Sequence, residues 1–203
     1  MPPRFIAEQL SHPRGLRGWL VRRGMNRGNA RANEFAMDQL KLQPTDKVLE
    51  VGFGGGVNIR RLLDHSASVV GVDRSSDAVS AADRRFHRER SEGRASFLLG
   101  EVESLPLANE SCTKAITVHT VYFWTSLERG FGELHRCLQP GGRLVVGFVP
   151  KAQMDRMGMP SDIFTPRDAD DLSSAARQAG FLVSTRRPDE PVPWMALVAL
   201  KSE

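Results

Sequence analysis

From residue 47 to the end, short apolar runs alternate with stretches of helical periodicity. Strands are predicted near 47–52, 68–73, 95–99, 114–119, 142–149, 181–187 and 193–200, and helices near 56–65, 75–91, 127–138 and 167–179. Strand following helix in this regular order is the pattern of a doubly wound α/β sheet, because a parallel pair of strands needs a crossover element between them. The last two strands break the rule. Too few residues separate them for a crossover helix, so they are predicted to pair as an antiparallel hairpin. Ser75 precedes the second helix as an N-cap, and Thr165 followed by Pro166 has the same look ahead of the last one.

Before the sheet the pattern weakens. Residues 1–13 carry three prolines and read as irregular, and Leu16, Trp19 and Leu20 share a helical face that four nearby glycines dilute. A better helix is predicted over 30–40, with Phe35, Ala36 and Leu40 facing the rest of the chain, and Gln43-Pro-Thr-Asp46 turns it into the first strand. The chain therefore divides into an N-terminal arm and helix, residues 1–45, and an α/β domain, residues 46–203.

The strand Val48-Leu-Glu-Val51 runs into Gly52-Phe-Gly-Gly-Gly56 and then into a helix. Glycine lets a backbone approach a ligand that a Cβ would displace, and the amides at a following helix N-terminus suit polar ligand groups. A dinucleotide fingerprint needs G-x-G-x-x-G, whereas position 57 here is Val. The pattern is instead acidic-x-G-x-G-x-G, opened by Glu50. A second apolar run, Ala67 to Asp73, ends in an acid 21 residues after Gly52. A carboxylate there suits the two ribose hydroxyls of a nucleoside, although Asp73 also stands where a helix cap would. With Leu99-Gly-Glu-Val-Glu-Ser-Leu-Pro-Leu107 and Glu133-Leu-His-Arg-Cys-Leu-Gln-Pro-Gly-Gly-Arg-Leu144, these segments come in an order that resembles the class I S-adenosylmethionine (SAM) dependent methyltransferases over roughly residues 46–149.

The resemblance implies a Rossmann-like seven-stranded, mostly parallel sheet with helices on both faces, and SAM as cofactor. It implies a cofactor loop at Glu50, Gly52, Phe53, Gly54 and Gly56, a ribose site at Asp73 beside Arg74, and an adenine site at Glu101 and Val102, with Glu103 either next to it or a solvated loop residue. Phe53 departs from the small residue more usual in that loop and is expected to narrow the site beside the cofactor. The stretch Gly24-Met-Asn-Arg-Gly-Asn29 resembles a segment that closes the cofactor site in quinone-biosynthesis-type relatives, which adds Asn26 to the expected contacts and favours a lid for the arm over a solvated tail or a nucleic-acid or anionic-membrane patch. His119 and Tyr122 end the fourth strand at the sheet edge where ligands bind in open α/β folds, and are the candidates for catalysis. His119 is either a general base or, with Tyr122, Phe123 and Trp124, part of a pocket wall. Segment 150–166, with Met154, Met157, Met159 and Phe164, is expected to cover the substrate pocket with an adaptable apolar surface. The mechanism implied is in-line transfer of an already activated methyl group to an O, N, S or C nucleophile of a small molecule, in which positioning replaces a dedicated dyad.

Charge and composition change this picture only at the N-terminus. The chain is 40% hydrophobic and 26% charged, ordinary for a globular protein, and no apolar run approaches the ~18 residues of a membrane span. Cys112 and Cys137 lack a C-x-x-C spacing and read as reduced thiols of a cytoplasmic protein; no cluster has metal-ligand spacing. Residues 1–33 hold seven arginines and one acid while the whole chain is only +4, so the basicity belongs to the arm. That admits a second reading, a nucleic-acid-binding or RNA-modifying protein on the same fold with the arm as contact. Two observations weigh against it: only Phe5 and Trp19 offer base stacking, and no N-P-P-[YF] tetrad follows the fourth strand. A SAM-binding regulator without turnover is the third.

Overall fold

Val48 and Leu49 show why this sheet forms. They point to opposite faces of one strand, yet neither is more than 1% exposed, because helices cover both faces. The computed structural model describes residues 29–160 and 162–203. In chain order the elements are α1 (Ala30–Leu40), β1 (Lys47–Val51), α2 (Val57–His65), β2 (Ser68–Asp73), α3 (Ser76–Arg85), α4 (His87–Ser91), β3 (Ala95–Leu99), β4 (Cys112–Val118), a 3-10 turn (Val121–Phe123), α5 (Leu127–Cys137), β5 (Leu138–Phe148), α6 (Lys151–Arg156), α7 (Ala169–Gln178), β6 (Phe181–Arg186) and β7 (Met195–Lys201). The seven strands form one sheet in the order β3-β2-β1-β4-β5-β7-β6. β7 lies antiparallel between β5 and β6, as the short final connection required.

Two cores sandwich the sheet. One joins Leu49, Val51, Val146 and Leu197 to α5 and α7 through Phe131, Leu134, Leu172 and Ala176. The other joins Val48, Ile116, Val145 and Val198 to α1, α2 and α3 through Ala36, Leu40, Ile59, Leu62 and Ala82. Strand order reverses between β1 and β4, and in an open α/β sheet the crevice at that reversal, beyond the carboxyl ends of the strands, is the ligand site.

Three expectations need correction. The helix predicted over 75–91 is two helices. Phe86 leaves helical geometry (φ −112°, ψ 31°), and its fully buried ring packs 5.6 Å from that of Phe97. Ser75 does cap α3, its Oγ accepting from Ala78 N at 3.3 Å. Thr165 does not cap α7. That role falls to Asp168, whose N–H donates to Asp171 Oδ2 at 3.2 Å in a reciprocal capping box, an acidic pair that outcompetes the Thr-Pro signal three residues earlier. Finally, β5 begins at Leu138 rather than 142. The glycines of Gln139-Pro-Gly-Gly142 form an irregular stretch of strand, with Leu138 paired to Cys112 across a register shift.

Candidate active site

The turn after β1 is built around what a Cβ would strike. Gly52, Gly54 and Gly56 all have positive φ (72°, 51° and 65°). At Gly52 a Cβ would lie 2.4 Å from Thr120 Cγ2, so this glycine lets β4's end close over β1's. At Gly54 it would meet no atom within 4 Å and would instead project into open space. Gly54 lines a cavity of about 810 Å³ at the strand-order reversal, within the size range of small-molecule sites.

Asp73 pins this loop. Its Oδ2 accepts from Gly54 N at 2.8 Å and its Oδ1 from Ser75 N at 2.9 Å. The carboxylate that was read either as a ribose ligand or as a cap thus lines the cavity and braces the loop at once. Glu50, 4% exposed, accepts at Oε1 from Asn58 Nδ2 (2.9 Å), and the same amide donates to Asn33 Oδ1 of α1 (3.3 Å). Its Oε2 is buried without a partner among the described residues. Burial therefore dominates its titration: the carboxyl is raised to about 7, against the pull of the Asn58 hydrogen bond and with a further push from the charge of Asp73.

Phe53 sits differently from its expectation. It borders the cavity, but its ring is turned beneath the loop, 5.4 Å from that of Phe97 and over Gly71, where a Cβ would lie 2.7 Å from the Phe53 ring. Gly71, unremarked in the sequence, makes room for the bulky residue in the loop.

On the opposite wall, Glu101, Val102 and Glu103 border the cavity on the loop after β3. Val102 is buried and Glu101 exposed. Glu103 is not merely solvated: its Oε1 accepts from Thr125 N (2.6 Å) and Thr125 Oγ1 (3.1 Å), strapping this loop to the segment after β4. Glu133 and Arg136 of α5 fix the rest of the loop. Glu133 accepts from Leu105 N at 2.8 Å, and Arg136 donates to the carbonyls of Leu105 and Leu107. Glu133 is held below the usual carboxylate range chiefly by the Arg136 hydrogen bond. Arg74 lines the cavity with its guanidinium 5.3 Å from the centre of the Phe123 ring.

Beyond β4 the chain is unusually constrained. His119 has left-handed backbone (φ 58°), uncommon for a residue with a side chain, and its N–H is tied to Gly147 O at 2.8 Å. Its Nδ1 lies 3.3 Å from Tyr122 Oη, and its Nε2 is buried without a partner among the described residues. Burial lowers the imidazole to about 4. Tyr122 Oη accepts from Val149 N at 2.5 Å, and burial pushes this phenol upward. Trp124 belongs more to the core than to a pocket wall: its ring packs 5.4 Å from Phe131 over Gly130, and its Nε1 donates to Thr120 Oγ1 at 3.1 Å. Thr120 Oγ1 also meets Thr117 Oγ1, which donates to Val51 O at 2.9 Å. This chain from β1 to the indole was missed in the sequence, since two threonines at a strand end carry no motif.

The last wall is the segment after β5. Met154, Met157, Met159 and Phe164 all border the cavity, with Phe164 against Phe123 at 5.1 Å. Asn26 lies outside the described residues. No group of three or more His, Cys, Asp or Glu able to hold a metal occurs among the described residues. Both cysteines are free and buried, and burial raises their thiols, Cys137 to about 11, which leaves them poor nucleophiles.

Comparison with known proteins agrees with this arrangement. Residues 49–146 match the family described as methyltransferase domain. An uncharacterized methyltransferase, YdaC, of Bacillus subtilis is 29% identical over 125 residues, covering 61% of this chain and 67% of its own length. The ubiquinone/menaquinone biosynthesis C-methyltransferase UbiE of Geotalea daltonii is 26% identical over 115 residues, 55% of this chain but only 49% of its own length. A protein solved in complex with the Trm112 methyltransferase activator of Haloferax volcanii superposes with a TM-score of 0.74 at 19% identity, over 89% of this chain and 93% of that one, a likeness of fold. The match to a methyltransferase domain over residues 49–146, with relatives named as methyltransferases, makes the chain similar to the class I SAM-dependent methyltransferases. SAM is the methyl donor that the domain match and these relatives imply, and the residues suit it: Gly54 leaves open the space a Cβ would fill, below an acid at the end of the next strand.

Proposed function

We propose that this chain methylates a small, largely apolar molecule, using the cavity at the β1/β4 reversal for both cofactor and substrate. The observation that carries the reading is Gly54, whose missing side chain opens on that cavity while its N–H is held by Asp73. In this reading Gly52, Gly54 and Gly56 cradle the cofactor, Asp73 takes the ribose hydroxyls, and Glu101 and the Val102 amide take the adenine. When bound, the cofactor supplies a methyl group activated by the sulfonium charge, so no strong base is demanded of the protein.

The chain's own residues then do the rest. Tyr122, locked by Val149 N–H and by its own carbonyl accepting from Thr165 N (3.0 Å), fixes the substrate end of the cavity. Phe123, Phe164 and the methionines exclude water, and the unbranched thioethers adapt to an apolar shape. His119 is neutral near pH 7 and a weak base, since its imidazole is lowered to about 4 by burial, which favours a pocket role over a general base. The N-terminal arm is proposed as a lid over this site. Among the described residues no helix is long and apolar enough to cross a membrane.

Calorimetry with SAM and S-adenosylhomocysteine tests the cofactor half, and a metabolite-library methylation screen tests the substrate half. Cofactor binding without any methylated product would leave the regulator reading. A salt-sensitive nanomolar complex with RNA or DNA, lost on deleting residues 1–28, would replace the lid by a nucleic-acid arm.

A further inference from the structure

The hydrogen-bond inventory around Tyr122 decides which way the His119 ring carries its proton. A phenol has one proton to donate and two lone pairs to accept with. One lone pair of Tyr122 Oη is taken by the Val149 N–H at 2.5 Å. Tyr122 is 5% exposed, and leaving a buried O–H unpaired is costly. Among the described residues, the only other polar atom within reach of Oη is His119 Nδ1, at 3.3 Å. If Nδ1 carried a hydrogen, two donors would converge on Oη and the phenolic proton would have no acceptor. The arrangement that leaves the fewest atoms unpaired has Tyr122 donating to Nδ1, so that only Nε2 lacks a partner. The neutral ring then carries its single hydrogen on Nε2.

Nε2 is the one polar atom of this pair left without a partner, buried on a residue that lines the cavity. The strained φ of 58° and the tie from His119 N to Gly147 O hold the ring in that place. We infer that His119 is a hydrogen-bond donor to the substrate through Nε2–H, set in that tautomer by Tyr122, and that the substrate therefore carries a hydrogen-bond-accepting oxygen, a carbonyl, enolate or phenolate, at the apolar end of the cavity. The aromatic and thioether surroundings of Phe123, Phe164 and Met154 suit a flat apolar body around that oxygen. A substrate presenting only an ammonium or an N–H there meets a second donor, and is rejected by an unpaired polar contact rather than by shape.

This inference rests on the small-molecule methyltransferase reading for its substrate but not for its tautomer, so the two can fail separately. Nitrogen-15 NMR of histidine-labelled full-length protein with S-adenosylhomocysteine at pH 7 should show His119 neutral, with hydrogen on Nε2. Tyr122→Phe should shift it toward a mixture of tautomers. A Nδ1–H ring, or an imidazolium, in the native protein overturns the proposal. For the substrate class, acetophenone and benzylamine serve as probes of matched shape. Acetophenone should move the Nε2 resonance at millimolar concentration and benzylamine should not. His119→Gln, which keeps a donor near that point, should retain acetophenone binding, whereas His119→Leu should weaken it at least fivefold with the fold checked by circular dichroism. The reverse preference, or equal binding to both variants, sinks the donor role. Failure of S-adenosylhomocysteine to bind at all would instead refute the methyltransferase reading, with the tautomer still measurable on the protein alone.

Discussion

The two walls of the cavity are built on opposite economies of charge. The loop wall, from Glu50 to Asp73, buries acids: Glu50 has one oxygen unpartnered, and Asp73 spends its carboxylate on backbone amides. The far wall, from His119 to Phe164, buries a base kept neutral and surrounds it with aromatic rings. Burial acts on both by the same physics, disfavouring the charged form, and so pushes Glu50 up to about 7 and His119 down to about 4. The first wall thus carries carboxyl groups at the glycine loop, and the second a neutral surface lined by aromatic rings.

The sharpest way to break the loop wall is Gly54→Val. It places a branched side chain in the cavity at a φ of 51°, and SAM affinity should fall by about 100-fold or more, read by calorimetry, while the melting temperature falls only modestly. Nearly undiminished binding would remove the loop from the site.

The electrostatic contrast itself is testable by pH. Glu50 titrates higher folded than unfolded, so the native state holds an extra proton between about 4.5 and 7, and stability falls as pH rises through that window. His119 titrates lower folded than unfolded, so the unfolded state holds the extra proton between about 4 and 6.5, and stability rises with pH there. The two slopes oppose each other, and each group contributes about 3 kcal/mol at most. Glu50→Gln keeps an acceptor for Asn58 and should stabilise the protein at pH 8, the gain over the unsubstituted protein fading as pH falls from about 7 to 4.5. His119→Gln should do the opposite, easing the acid limb. Parallel melting curves for the two variants across pH 4–8 would mean that the walls do not differ in this way.

Asp73→Ala should weaken SAM binding by about tenfold or more, since hydrogen bonds to a charged group contribute ~1.5–3 kcal/mol each. Because the carboxylate also holds Gly54 N and Ser75 N, some stability should go with it. Lost stability with unchanged affinity would make Asp73 a brace and no ligand. The smallest effect is expected on the far wall. Thr120→Val removes the oxygen that meets Trp124 Nε1 and Thr117, and denaturant unfolding should show a loss of about 1–2 kcal/mol. A neutral result would mean that the indole finds another acceptor.

What each wall owes to sequence differs as well. The loop wall was readable because its function is local. A glycine that must have positive φ, and an acid at the next strand's end, are properties of short segments, and their spacing survives in the string of letters. The sheet was readable for the same reason: two-sided burial writes continuous apolar runs, and a connection too short for a helix forces a hairpin. The Glu133 and Arg136 pair was visible as a motif, but its work, clamping the carbonyls of Leu105 and Leu107, was not.

The far wall belongs to tertiary structure. Whether Phe53 points at the ligand or into the core depends on Gly71 one strand away. Whether Phe86 continues a helix or ends it depends on a pocket between Phe97 and the loop at Gly56. The proton on His119 is settled by Val149, which occupies one side of a phenol 27 residues earlier in the chain. Sequence determined which backbone must turn and which strands must be buried, because those are requirements on neighbours in the chain. Which oxygen is left over, which ring faces inward and which nitrogen holds a hydrogen follow from the pairing of every buried polar atom, and that sum closes only in three dimensions.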